Sequence, residues 1–235
     1  MNLAKNPFLK EWVSYNFLGW LLGTSIGPLL FYFVLRYEIP GIYGDDLYDR
    51  LTPVFISFPL GAGLGVMQQV KLRQWNISPA LWIAATSLGF GIPISLITWV
   101  FQSSASRYDI PLFAVVTEVI IVAICIGGLQ ALLIRKLIPK PSYWILAYVF
   151  GVLAVGVILL GVISGALLAA EPIEEFLYSL DLYTVVKYRD ELLLLFTGIT
   201  LPFLAAFLIG LPTGLILQKF ANIKISTAGK EKFGR

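Results

Sequence analysis

Six long apolar stretches, separated by short segments rich in charge and proline, divide the chain. They are residues 17–35, 52–72, 80–101, 111–133, 142–169 and 192–217. A helix needs roughly 20 apolar residues to cross a bilayer, and each stretch meets or nearly meets that length. The breaks at 36–40 and 139–141 contain proline, which stops or starts helices. The pattern predicts six transmembrane helices.

Composition excludes a water-soluble fold. The chain of 235 residues is 58% hydrophobic and 13% charged, and its mean hydropathy is +0.83. Soluble domains contain about 25% charged residues, so this chain has too few charges to coat a globule. We therefore expect an integral membrane protein whose first apolar stretch is an uncleaved anchor, because it is too long for a signal-peptide core.

The chain offers few groups for catalysis or metal binding. It has no histidine and a single cysteine, Cys125, which we expect to be a small packed hydrophobic residue. It contains no phosphate-binding loop, no zinc-protease motif and no Ser-His-Asp set. The sequence predicts no catalytic residues, no metal, no cofactor and no enzyme activity.

Lysine and arginine are unevenly distributed between the loops. If both termini are cytoplasmic, twelve of these residues lie inside and five outside. Since cytoplasmic loops are enriched in lysine and arginine, this arrangement is the predicted topology. The basic side then faces anionic membrane lipids, and the net charge of +3 gives no case for nucleic-acid binding.

Identical residues recur at an offset of 62. The clearest series is Trp20, Trp82 and Trp144. Others are Gly27, Gly89 and Gly151, and the pairs Gly65 and Gly127, Gln68 and Gln130, and Arg73 and Arg135; Gln218 provides the third glutamine at a longer spacing. The pattern predicts three tandem helical hairpins, residues 1–78, 79–140 and 141–235, related by rotation about the membrane normal.

Two stretches carry a resemblance. GVMQQVKLRQWNISPALWIAATSLGFG and its echo GGLQALLIRKLIPKPSYWILAYVFG resemble hairpins of uncharacterised bacterial membrane proteins of cyanobacterial type. The resemblance covers about residues 61–151, implies a bacterial inner or thylakoid membrane, and implies no activity.

The recurring residues suggest contacts with lipid. Arg73 and Arg135 lie where a helix leaves the membrane, and a tryptophan begins the helix that returns. We interpret Arg73, Arg135, Trp20, Trp82 and Trp144 as interfacial anchors; the alternative is a lipid-headgroup pocket formed by arginine and glutamine. We expect Gln68 and Gln130 to bond to adjacent helices, or alternatively to coordinate a substrate or pigment.

Glycines spaced four residues apart favour close helix packing. They are Gly19, Gly23, Gly27, Gly61, Gly65, Gly161, Gly165, Gly210 and Gly214. We expect them to serve packing within the bundle, and any left outside to contact a partner subunit.

Glu118 is the one acid deep within an apolar stretch, where a charge costs roughly 2.5 to 3.5 kcal/mol. It is a candidate functional group. The structural alternative is a protonated Glu118 bonded to Thr86 or Thr98.

An added segment interrupts the third hairpin at about residues 171–191. Its apolar residues recur at helical spacing from Ile173 to Tyr183, and its polar face is acidic. We predict an amphipathic helix on the outer surface, acting as a lid or as a docking surface.

Two functions fit these features. The first is an accessory, scaffold or assembly subunit of a larger membrane complex, with a membrane-protein partner or a second copy of itself. The second is a transporter or channel for a small or apolar solute, linked to protons through Glu118.

The topology can be tested directly. Single cysteines at positions 45, 105 and 180, in a Cys125→Ala background, should react with a membrane-impermeant reagent added outside the cell. Labelling of any of the three only from the cytoplasm would contradict the predicted topology.

Overall fold

The computed structural model describes residues 6–37, 45–104, 112–158, 161 and 200–220, and these residues are almost entirely helical. The helices are α1 (Pro7–Tyr37), α2 (Asp45–Leu72), α3 (Pro79–Ser104), α4 (Leu112–Ile134), α5 (Ser142–Ile158) and α6 (Thr200–Phe220). A short 3₁₀ turn, Arg73–Trp75, follows α2, and Asn76 then adopts a left-handed conformation that ends it.

Five helices, α1 to α4 and α6, are long and apolar enough to span a membrane. The chain is thus a multi-pass membrane protein in composition and helix length. The described part of α5, Ser142–Ile158, is shorter, although it is also apolar. The amphipathic outer helix predicted at 171–191 lies outside the described residues.

The six helices pack in chain order and close into a ring. Helix α2 lies between α1 and α3, and α3 contacts α4. Gly127 of α4 packs against Ile145 of α5, and Gly151 of α5 packs against Ile209 of α6. The ring closes where Gly214 of α6 meets the indole ring of Trp12 in α1.

Glycines let α1 approach α2 closely over about two helical turns, from Gly19 to Gly27. A β-carbon added at Gly23 would lie 2.5 Å from Cα of Leu60, a distance that real β-carbons do not reach. Gly19 and Gly27 make the same kind of contact with Leu64 and Ile56, at 2.7 Å and 3.1 Å from Cα. Three successive glycines on one face thus let the two backbones touch.

Helix α3 begins an equivalent contact with α4 but does not continue it. A β-carbon at Gly89 would lie 2.8 Å from Cα of Ile126, much as Gly19 meets Leu64. The next residues on this face of α3, four and eight positions on, are Pro93 and Ile97 rather than glycines. Pro93 and Ile97 carry side chains that a backbone contact of the Gly23 kind would not accommodate, and α3 contacts α4 less extensively than α1 contacts α2.

These contacts correct the 62-residue alignment of the first helix. Leu64 of α2 and Ile126 of α4 are 62 residues apart, whereas the glycines that face them, Gly19 of α1 and Gly89 of α3, are 70 residues apart. At that spacing Trp12, rather than Trp20, pairs with Trp82. Trp20 lies about two turns further along α1 and packs edge-on against Phe90, with ring centroids 5.4 Å apart. Gly89 aligns with Gly19 at an offset of 70 and with Gly27 at an offset of 62. The glycine pattern alone therefore does not distinguish the two offsets.

Most of the predicted packing glycines lie at helix contacts. Gly61 and Gly65 of α2 face α3, and Gly210 and Gly214 of α6 face α1. A β-carbon at Gly161 would have no neighbour within 4 Å among the described atoms. Gly165 lies outside the described residues.

The α1–α2 contact predicts a difference between two glycines. Gly23→Ala should destabilise the protein by about 1–3 kcal/mol, because the methyl group forces the two backbones apart. Gly156→Ala, where a β-carbon would meet none of the described atoms within 4 Å, is the matched control. Thermal unfolding in detergent measures both variants. Equal unfolding temperatures would contradict the tight contact.

Candidate functional site

Three tryptophans meet inside the bundle. Trp12, Trp82 and Trp144 are fully buried. The ring centroid of Trp144 lies 6.4 Å from that of Trp12 and 6.2 Å from that of Trp82, both edge-on. The interpretation of Trp82 and Trp144 as lipid-interface anchors is therefore wrong, and Trp20, with 8% exposure, is buried as well.

Each indole N–H of this cluster donates to a polar side chain on a neighbouring helix. The tryptophan of α1 donates to α6, that of α3 donates to α2, and that of α5 donates to α4. The three bonds are Trp12 to Thr213 Oγ1 (3.1 Å), Trp82 to Gln68 Oε1 (3.0 Å) and Trp144 to Gln130 Oε1 (3.1 Å). The same type of bond thus joins successive hairpins, including the last to the first.

The two glutamines extend these bonds across the centre. Gln68 Nε2 donates to Asn16 Oδ1 at 2.8 Å and to Tyr148 Oη at 3.4 Å. Gln130 Nε2 donates to Gln68 Oε1 at 3.2 Å and to Thr86 Oγ1 at 2.8 Å. Because α1 to α5 all contribute, we call this set, with the three tryptophans and Thr213, the central network.

Glycine makes room for the central network at each junction between hairpins. Asn16, Thr86 and Tyr148 each lie one helical turn after a network tryptophan. A β-carbon at the facing glycine would lie 3.3 Å from the β-carbon of that residue in all three places. The facing pairs are Gly210 with Asn16, Gly65 with Thr86, and Gly127 with Tyr148. A larger residue there would push the polar side chain out of bonding distance.

The central network contains only neutral groups, and its hydrogen-bonding capacity is used internally. Among the described residues, Gln69 Oε1 and Ser95 Oγ are the buried side-chain atoms without a partner, and neither belongs to the network. The described part of the chain also contains no group of three metal-binding side chains. These bonds between neighbouring helices can therefore hold the helices together.

The arginines lie apart from the glutamines. Arg73 and Arg135 are exposed, whereas Gln68 and Gln130 are fully buried and bonded within the central network. A headgroup pocket that combines arginine with these glutamines is therefore excluded. Near Arg73, Lys71 forms an ion pair with Glu11, which ties α2 to α1.

At the same end of the bundle, Asn6 donates to Gln218 Oε1 at 2.8 Å. Gln218, which the sequence pattern places in the third hairpin as the equivalent of Gln68, thus bonds outside the central network. Thr213 takes the equivalent position.

Glu118 lies outside the central network. It is half-buried on α4, twelve residues from Gln130 and so about 18 Å along the helix axis. Thr86, one of its predicted partners, instead donates to the Trp82 carbonyl and accepts from Gln130. Glu118 lies 62 residues after Ile56, the residue of α2 that packs against Gly27 of α1.

A groove of about 740 Å³ runs between α3, α4 and the start of α5. Its walls are apolar, and they include Pro93, Ile97 and Cys125. Arg135 and Ser142 lie at one end. This groove occupies the space where α3 and α4 lack the glycine contact of α1 and α2.

Comparison of the chain with protein-family models, curated proteins and solved structures finds no match.

Sequence reasoning missed four members of the central network: Trp12, Asn16, Tyr148 and Thr213. The spacing of four residues does not single out Trp12 and Asn16, because Trp20 precedes Thr24 by the same distance as Trp82 precedes Thr86. Thr213 differs in residue type from Gln68 and Gln130, so the recurring glutamines do not point to it.

The central network predicts a large effect at one residue. Gln68→Leu should lower the free energy of unfolding by about 1–3 kcal/mol for each buried partner left unbonded, here the Trp82 N–H and Asn16 Oδ1. Gln74→Leu, at an exposed position, makes the same chemical change and should have little effect. Chemical unfolding in mixed micelles measures both. A Gln68→Leu protein as stable as wild type would show that the bonds contribute nothing net.

Proposed function

We propose that this protein is a small scaffold or assembly subunit of a larger membrane complex. The observation that carries the proposal is the filled and internally bonded centre of the bundle. Trp12, Trp82 and Trp144 occupy the middle, and the surrounding amides and hydroxyls bond to one another. A bundle held in one arrangement suits a protein that positions other helices, because binding them requires no change in its own conformation.

A transporter needs a polar path that opens to each side of the membrane in turn. At the level of the central network such a path would require breaking several buried hydrogen bonds at once and moving large aromatic rings. Half-buried Glu118 is the observation that favours transport, since acids within a membrane span often mark proton or substrate routes. We therefore retain a proton-linked transporter as the second candidate.

The proposed topology has six membrane spans, arranged as three tandem hairpin repeats, with both termini in the cytoplasm. In this topology Lys71, Arg73 and Arg135 lie on the cytoplasmic side, as expected from the enrichment of basic residues there. The acidic segment 171–191 then lies outside, where it is available to a partner subunit. The partner is another membrane protein or a second copy of this chain.

Native co-purification tests the two functions together. The tagged full chain, extracted in a mild detergent, should elute in a complex of fixed stoichiometry whose members are identified by mass spectrometry. Glu118→Gln should leave that complex intact, because a scaffold needs no proton-carrying group. The same purified protein in liposomes should leave an imposed proton gradient unchanged.

The opposite pattern would replace the scaffold with the transporter. In that case the protein purifies as a single chain, and liposomes dissipate the proton gradient with wild type but not with Glu118→Gln. Gln74→Leu, an exposed substitution, controls for losses during purification and reconstitution.

A further inference from the structure

The groove between α3, α4 and α5 faces outward from the bundle. Leu132 on its α4 wall and Leu96 on its α3 wall are 60% and 53% exposed. A β-carbon at Gly128, which also lines the groove, would have no neighbour within 4 Å among the residues that the structure describes. The groove is therefore open space beside the packed centre, accessible from the surrounding bilayer.

The length of the groove matches one leaflet of a membrane. Its α4 wall runs from Ile121 to Arg135, which at 1.5 Å per residue is about 21 Å. A bilayer with its headgroup regions is about 40–45 Å thick, so one leaflet is about 20–22 Å deep from its headgroups to the midplane. An object that fills the groove from the arginine inward thus crosses one leaflet and ends near the bilayer centre.

The two ends of the groove differ in chemistry. Arg135 and Ser142, the first residue of α5, both line one end of the groove and supply a guanidinium and a hydroxyl there. Both groups can donate hydrogen bonds to a phosphate. The walls away from that end are formed by side chains such as Ile92, Leu96 and Ile121, which suit only a hydrocarbon chain.

We propose that this groove binds one anionic phospholipid, with its phosphate at Arg135 and an acyl chain along α3 and α4. The charge of Arg135, and a groove about one leaflet deep, select a lipid over a protein helix, which would cross both leaflets. The site is specific to this hairpin. In α1 the positions of Pro93 and Ile97 are taken by Gly23 and Gly27, whose close contact with α2 leaves no such space.

The experiment is native mass spectrometry of the full chain in detergent, titrated with phosphatidylglycerol and, separately, with phosphatidylcholine. Wild type should hold one phosphatidylglycerol more tightly than any phosphatidylcholine. Gly128→Leu should lose that tight binding, because its side chain fills the groove without meeting another part of the bundle. Arg135→Gln should weaken phosphatidylglycerol binding about fivefold and remove the preference over phosphatidylcholine.

Two matched controls separate the groove from general effects. Gly156→Leu adds the same side chain at another open position, and Arg73→Gln removes the corresponding arginine of the preceding hairpin. Both should bind phosphatidylglycerol as wild type does. Unchanged binding in Gly128→Leu or in Arg135→Gln would overturn the proposal, as would equal affinity of wild type for both lipids.

A protein occupant would give a different result. Gly128→Leu would then release a co-purified protein while phosphatidylglycerol binding stayed the same, and the lipid proposal would fail. The readout is lipid bound to the purified chain, so it does not depend on the scaffold or the transporter function.

Discussion

Hydrogen bonds between buried indole and amide groups hold the helices of this protein in one arrangement. A membrane offers no hydrophobic driving force between helices, because lipid tails are as apolar as leucine. Polar groups inside the bundle therefore carry more of the specificity, since each must find a partner in a medium without water. Gln68 illustrates the point: its amide bonds to residues of α1, α3, α4 and α5, and those four helices can satisfy it only in their observed order.

Close packing depends on where glycine stands opposite these polar residues. Gly65, Gly127 and Gly210 bring three helix pairs near enough for the bonds to form. The glycine pattern also determines where the bundle stays open. On α1 glycine recurs at Gly19, Gly23 and Gly27 on the face toward α2, whereas on α3 it stops at Gly89, and Pro93 and Ile97, the next residues on that face, line the groove. The presence or absence of glycine on this face thus distinguishes the closely packed pair α1 and α2 from the pair α3 and α4, which borders the groove.

Much of the fold could be predicted from hydropathy, because long apolar runs have few alternatives to membrane helices. The glutamines were found as a pair because the same residue type recurs at a constant spacing. The environment of Trp82 and Trp144 was predicted wrongly, since a tryptophan near a helix start suits either the headgroup region or the bundle interior. The alignment of α1 with α3 and the role of Thr213 follow from contacts between helices that are far apart in sequence. Local patterns in a single sequence do not reveal such contacts.

The bond between Trp12 and Thr213 joins residues 201 positions apart in sequence. Trp12 lies in α1, and Thr213 lies in α6. At a synthesis rate of about 5–20 residues per second, Trp12 waits roughly 10–40 s for its acceptor to be made. During that interval five helices can enter the membrane while an indole N–H at the edge of the incomplete ring has no permanent partner. The last helix therefore closes the ring as well as lengthening the chain.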